Sequence, residues 1–385
     1  MLKYSTYWSA EQYATTTLDT GEAHSAGAPS GTYSATYSVI SGGANNCIDA
    51  TAASSCFGVI AGGRKNTIGD NTSYATISGG WTNTVCSEYS GTGSGYYNVV
   101  SGFNSVISGG GRNTIDVSSL QSFIGGGGEH YIHCLTKQAV IAGGYQNTIC
   151  CGHYCTPAIF SGVQHNVGGN AALVINGYQN YVCADYGMVA NGSTNHVCGG
   201  LFASIANGLE NCVTSVCGHS CYHMIAGGYL NNIIDTSLVP SSRDFNFIGT
   251  GTANAVLDTS GAFIGSGINN SITSSAYSVI AGGNTNIIAP GNEVPTCYNV
   301  IAGGLGNTVC APFGAILGGK GNTVSHAYSA AFGCNVSSSQ NCAFHANFYV
   351  SQDTPPYSGT VGVLAYITAP ASLGLPSGTC LVVTR

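Results

Sequence analysis

Two short phrases hold the densest set of metal-ligand side chains in the chain, Cys151-Gly-His153-Tyr-Cys155 and Cys217-Gly-His219-Ser-Cys221. Each puts two thiols and an imidazole close together, three ligands of the kinds zinc takes. A structural zinc site wants a fourth ligand, for which Cys150 and His223 stand nearest, and the spacing matches no recognised zinc finger. Loop-closing disulfides within each phrase are the leading reading, ahead of free thiols and of metal, so no metal and no cofactor are expected. The chain has 17 Cys, an odd number, so at least one stays free or pairs between chains.

Catalytic constellations are thin. The acids Asp49, Asp70, Glu88, Asp116, Glu129, Asp185, Glu210 and Asp258 stand mostly singly, whereas glycosidase chemistry needs paired carboxylates. Glu129-His130, near His133 and Cys134, is the densest polar cluster and reads as a variant of a structural corner. No Ser/His/Asp order or phosphate loop stands out, and the many Gly pairs open no helix. No catalysis is expected.

Composition excludes other classes. Only 6% of residues are charged, and the eight Lys and Arg are scattered in a chain of net charge −7, so nucleic acid is not an expected partner. No apolar run reaches the length of a membrane-spanning helix. The segment Met1-Leu-Lys-Tyr-Ser5 does not read as a signal peptide. Either an export signal has been removed, or the protein assembles inside a cell and is released by another route, as virion proteins are.

The elements that would position all these residues are set by an internal repeat. The phrase Tyr37-Ser-Val39-Ile40-Ser-Gly42-Gly43-Ala-Asn-Asn46-Cys-Ile48 recurs nearly to residue 325. Its repeated Asn falls at Asn46, Asn66, Asn83, Asn113, Asn147, Asn231, Asn286, Asn307 and Asn322. Looser copies place it at 166, 180, 195, 211, 254 and 270, and His130 replaces it once. The step from the key Ile to the Asn stays at six residues, while the full period runs from about 14 to about 23, with one longer gap around residues 84–112. A fixed inner step with a variable outer one marks stacked coils with loops on one side. The chain therefore reads as all-β, a parallel β-solenoid of about 16 or 17 short coils with variable loops.

Three columns run down the expected stack. The key position is apolar throughout, from Ile40, Ile60 and Ile77 through Phe160 to Ile316, and a second apolar column follows the Asn (Ile48, Ile68, Val85, Ile115, Ile149, Val309). One residue before the key lie Val39, Val59 and Val140, and two further back Tyr37, Phe57, Tyr74, Tyr277 and Tyr298. Alternation along a strand sends Ile and the Val-plus-aromatic set to opposite faces. A strand apolar on both faces is expected to be buried on both. The aromatic face is too bulky for the coil interior, so another chain, or loops folding back, would cover it. The second Gly of each pair (Gly43, Gly63, Gly283, Gly304) and the Asn read as corner residues, both able to take positive φ, with the Asn amides forming a ladder. Cys86, Cys150, Cys183, Cys198 and Cys310 lie three residues after the corner Asn. Equivalent Cα atoms of stacked coils are about 4.8 Å apart, which is disulfide range. Cys183 and Cys198, on neighbouring coils, are thus expected to form a rung-to-rung disulfide, with stacked free thiols as the alternative.

Segments such as Tyr277-Ser-Val-Ile-Ala-Gly-Gly283 and Tyr328-Ser-Ala-Ala-Phe-Gly333 resemble the Ser-Val-Ala-Ile-Gly repeat of trimeric autotransporter adhesin heads. Similar repeats occur in fibre-like proteins of phages and large viruses. The resemblance covers roughly residues 37–350 and implies a left-handed β-roll and a homotrimer. The corner Asn replaces the family's usual small residue, coil lengths vary more, and neither a heptad stalk nor a membrane-barrel anchor is legible. A virion or appendage fibre is therefore expected over a complete autotransporter. Residues 1–36 are expected to cap or attach the stack, 37–350 to form it, and 351–385 to make a small β cap.

The expected function is a structural fibre or appendage protein at a virion or cell surface, extracellular and self-assembling. The alternative is an adhesin that holds glycans or a host receptor through its inter-coil loops, the longest at 86–96, 232–244 and 289–297. Ice binding wants an unbroken Thr ladder. Here Thr67, Thr84, Thr114 and Thr148 give way to Val167, Tyr181, His196 and Cys212. Asn71, Asn191, Asn269 and Asn335 sit in glycosylation triplets that matter only if the host glycosylates the protein.

Overall fold

The computed structural model describes residues 37–49, 57–133, 135–150, 156–216, 221–236, 244–291 and 296–346, with the backbone of short strands at Lys3–Tyr7, Thr15–Asp19 and Ser25–Ala26. The proposed C-terminal cap, 351–385, lies outside the described residues. The chain is all-β, with no helix among the described residues, and forms parallel β-solenoid coils, about 17 in all. They divide between two compact units, 1–250 and 251–385.

A typical coil holds two strands of two residues each, Val39–Ile40 and Cys47–Ile48 in the first. So short a strand makes sense only if every neighbour is the next coil. In the first unit, first strands pair in parallel and in register, Val39 with Val59 and Ile40 with Ile60, and second strands likewise, Cys47 with Thr67 and Ile48 with Ile68. The second unit repeats this, Ile280 over Ile301 and Ile288 over Val309. The N-terminal segment joins the first unit's pattern: Thr15–Asp19 pairs in parallel with Val39–Ile40, and Ser25–Ala26 with Cys47–Ile48. Lys3–Tyr7 pairs antiparallel with Thr15–Asp19.

Period-two alternation then sorts the side chains. The second residue of each strand points inward, and Ile40, Ile48, Ile60, Ile68, Ile77 and Val85 are at most 2% exposed. The first residue points out. Val39 is only half-buried, and Val106 and Val300 are exposed, so the strand is not buried on both faces as expected. The coil interior takes one branched side chain per strand and leaves the outer column to solvent.

Two corners turn each coil, and both use left-handed backbone. At the first, Gly43 has φ +97° and the residue before the ladder Asn, Asn45, has φ 56°. The later coils repeat this at Lys65, Thr82, Arg112, Glu129 and Gln146. The ladder Asn itself is not the left-handed residue, contrary to the expectation from sequence; it is buried and its predecessor turns the chain. Non-glycine residues pay for positive φ sterically. Here each such amide is held by the preceding coil, as Lys65 N–H donates to the Ala44 carbonyl (2.9 Å) and Thr82 N–H to that of Arg64 (2.9 Å). Of the Gly pair only the second member is required. A Cβ on Gly63 would collide with the Gly80 carbonyl oxygen, whereas one on Gly62 would meet nothing within 4 Å.

The Asn ladder closes the first corner. Asn66 Nδ2 donates to the carbonyls of Gly62 and Gly80 (3.0 Å each), and its Oδ1 accepts the backbone N–H of Asn83 (3.0 Å). The side-chain amide thus ties its own coil to the next, while the Asn66 backbone N–H donates back to Asn46 Oδ1 (3.0 Å). The same pattern recurs at Asn286 and Asn307 in the second unit.

Three register readings need correction. In the coil at 156–167 the core residue is Ile159, 0% exposed, while Phe160 is 49% exposed. The six-residue step therefore ends on His165, which is buried in the ladder, and Asn166 opens the following strand. A one-residue slip exchanges the two faces, and a Phe ring does not fit where every neighbour is Ile or Val. The gap at 84–112 is filled by a coil with strands Gly91–Thr92 and Val99–Val100 and ladder residue Asn98, so 86–96 is not a free loop. Its core residue, Thr92, is isosteric with Val but escapes an apolar pattern. Finally, the corrected outer column runs Asn166, Tyr181, His196 and Cys212, with Val167 inside.

Candidate functional site: two exposed corner columns

The second corner carries the aromatic column. Tyr37, Phe57, Tyr74 and Tyr89 all have positive φ (53–60°), so they stand at the turn, not on the strand face where alternation put them. Left-handed backbone at the same point of each coil aims the rings alike, and the coil step matches ring stacking. Their centroids lie 5.2, 4.9 and 4.9 Å apart with planes within 10°. Further along the first unit, Tyr186, Phe202, Tyr222 and Phe245 stack at 4.9, 5.0 and 4.8 Å. In the second unit Tyr277, Tyr298, Phe313 and Tyr328 do so at 5.3, 5.4 and 4.7 Å. The rings remain exposed, Tyr37 and Tyr328 at 60%. Beside the middle ladder, the small Ser204 leaves an apolar hollow of about 330 Å³ lined by Phe202, Tyr222, Met224, Phe245 and Phe247.

The first corner carries a different column. Just after the turning Gly stand Trp81, Tyr96, Gly111, Gly128, Tyr145, Val163 and Tyr178, bridged coil to coil. Next to them run Thr82, Tyr97, Arg112, Glu129, Gln146, Gln164 and Gln179, all with left-handed φ. Their side chains form a row. Arg112 Nη1 donates to Glu129 Oε1 (3.4 Å), Gln146 Nε2 to Glu129 Oε2 (2.7 Å), Gln164 Nε2 to Gln146 Oε1 (2.9 Å) and Gln179 Nε2 to Gln164 Oε1 (3.0 Å). The Gln146 amide, then the Tyr145 hydroxyl and Arg112, hold the Glu129 carboxyl below its usual range; Glu129 in turn pushes the Tyr145 phenol up. Glu129 is thus a corner residue, as its sequence context implied, but one joined to aromatic neighbours. The sequence reading missed this row, although Gly144-Tyr-Gln-Asn147 and Gly177-Tyr-Gln-Asn180 repeat verbatim.

His130 and His165 occupy ladder positions. Each Nδ1 accepts the N–H of the next ladder residue, from Asn147 and Asn180 (3.1 Å each). Desolvation lowers both imidazole pKa values, that of His165 to about 4.

The cysteine expectations fare unevenly. Cys183 and Cys198 lie one coil apart with Cα atoms at 4.8 Å and sulfurs at bonding distance. Gly168 and Cys150 precede them in the same column, where the Cys150 thiol donates to Asn166 Oδ1 (2.9 Å) and burial raises its pKa. Cys151, His153, Cys155, Cys217 and His219 lie outside the described residues, as does the side chain of Cys221. His223, considered as a fourth ligand, is buried at 1% exposure. Among the described residues no group of three His, Cys, Asp or Glu could hold a metal ion, and no helix is long and apolar enough to cross a membrane. Compared with known proteins, the chain matches no family model and has no significant similarity to any curated protein.

Proposed function

We propose that the chain is a structural, non-enzymatic element of a fibre or appendage at a virion or cell surface, and that it assembles with copies of itself. The observation that supports this is the set of stacked, solvent-exposed aromatic ladders at the second corner. Aromatic patches this long are a liability on a lone soluble chain and serve association instead. The hollow at Ser204 gives such an interface a socket for a partner's side chain. A trimer is the state that the resemblance to adhesin heads implies. With 6% charged residues, little surface charge opposes close packing of copies.

Light scattering on the native chain, with and without reductant, tests the reading. A mass near three times 39.0 kDa is expected, and Phe202→Ser with Phe245→Ser should shift it toward one chain. A monomer at every concentration overturns self-assembly. Loss of the trimer on reduction alone would place cysteines, not rings, at the interface.

A further inference from the structure

The row at the first corner has features that coil architecture does not require. Gly111 and Gly128 interrupt a column otherwise filled by Trp81, Tyr96, Tyr145, Val163 and Tyr178. Neither has positive φ, so the backbone does not demand Gly there. Space does. A Cβ on Gly111 would overlap the ring of Tyr96, and one on Gly128 would come 3.1 Å from Tyr145 Cδ2. The glycines let two tyrosine rings lie down over the neighbouring coils from opposite directions, and both rings stay exposed, at 48% and 44%. Trp81 and Tyr97 meet edge to face at 5.0 Å and continue the aromatic surface.

Alongside runs the fixed line from Arg112 through Glu129 to Gln179. Each of the three Gln spends one of its two N–H groups inside the row, so the amides are held in place with donor capacity left over. An exposed aromatic floor beside a hydrogen-bonded line of donors and acceptors fits one ligand chemistry well. The C–H face of a sugar ring packs on the tyrosines, and its hydroxyls bond to the amides and carboxylate. Charge narrows the class further. Arg112 is already paired with Glu129, and the chain carries net charge −7, so between Trp81 and Gln179 an anionic glycan finds no unpaired cation in the row; Arg64 and Lys65 stand one coil before it.

We infer that the first corner between Trp81 and Gln179 is a binding site for a neutral oligosaccharide, with Tyr96 and Tyr145 as stacking floor and Glu129, Gln146 and Gln164 as hydroxyl partners. This site stands on the corner face and not on the inter-coil loops. It is independent of the assembly proposed above, which uses the opposite corner.

The test is saturation-transfer NMR on the full chain with chitohexaose, cellohexaose, mannohexaose and maltohexaose, and with a sulfated heparin hexasaccharide as the anionic control. At least one neutral hexasaccharide should bind saturably, with transfer from tyrosine ring protons. Tyr145→Ala should weaken it about tenfold or more. Gly111→Ala, which displaces the Tyr96 ring at an exposed site, should do the same with the circular dichroism unchanged, while Val216→Ala, at an exposed residue in neither corner column, should leave affinity as it was. The inference is overturned if no neutral hexasaccharide binds up to about 10 mM, if only the sulfated one does, or if binding survives both corner variants.

Discussion

At the scale of single residues, the ladder Asn is the position where the least chemistry does the most structural work. Asn83 donates to the carbonyls of Gly79 and Gly95 and accepts the N–H of Asn98, all at the buried corner. Asn83→Ala strands these groups, and urea unfolding should show a loss of roughly 2–4 kcal/mol. Asn83→Asp would keep the acceptor and lose the donors. The two corner glycines should separate cleanly. Gly63→Ala meets both a positive φ and the Gly80 carbonyl, and should destabilise severely; Gly62→Ala enters open space and should change stability by less than about 0.5 kcal/mol.

The ladder histidines make stability depend on acid. The His165 Nδ1 must stay unprotonated to accept the Asn180 amide, and its folded pKa of about 4 lies below the unfolded value of 6.5. Between those values the unfolded chain takes up a proton that the folded chain refuses. Stability is therefore full above pH 6.5 and falls as the pH drops toward 4, by on the order of 3 kcal/mol. His130 acts in the same direction. Denaturant midpoints at pH 7.5 and 4.5 should differ accordingly, and His165→Asn should recover part of the loss. An unchanged midpoint would mean that the imidazole titrates normally.

At the scale of the element, a typical coil buries one side chain from each of its two-residue strands, so its core has little redundancy. Ile141→Ala should cost about 2–5 kcal/mol and Ile141→Val about 0.5–1.5 kcal/mol. Thr92 goes the other way. Its hydroxyl is buried with no hydrogen-bond partner inside an apolar column, so Thr92→Val should be neutral or stabilise by about 1 kcal/mol in thermal melts.

The same coil shows how far the fold is legible in the sequence. The Ile-to-Asn step exposed nearly every coil because the corner geometry tolerates no insertion between them. Where Thr92 replaced an apolar residue the coil went unseen, since pattern reading weighs polarity and the core weighs shape. Where Phe160 and Asn166 gave a matching step one residue late, only packing could choose Ile159 and His165. The aromatic column was visible but misplaced, because alternation applies within strands and these residues sit on a left-handed turn. The row from Arg112 to Gln179 was hidden because only three of its members share a residue type, and it is the left-handed geometry that all five have in common.

At the scale of the whole molecule, the described residues of each unit are held chiefly by nearest-neighbour coils, as the strand pairings and backbone hydrogen bonds run from each coil to the next. Such a stack resembles a one-dimensional chain of coupled units more than a single cooperative globule. Hydrogen exchange should accordingly be graded, slowest for amides in the middle of a stack such as Ile141 and Ile149, and faster toward its first coils at Ile40 and Ile60. Uniform protection through the first unit would instead indicate all-or-none opening. Cys183 and Cys198 fasten two adjacent rungs within that stack at a sequence separation of 15, so reduction should loosen exchange locally without dispersing the fold.

The open first glycines carry a consequence of another kind. Gly62, Gly79, Gly126 and Gly143 each face empty space, and the corner engages them only through the backbone. Gly62 and Gly79 lie on successive coils, as do Gly126 and Gly143, so each pair offers blank addresses one rung apart. Residues written there, whether His pairs for a metal, a Cys for a label or a line of like charges, would be displayed at a pitch set by the β-sheet, with the scaffold beneath unaltered.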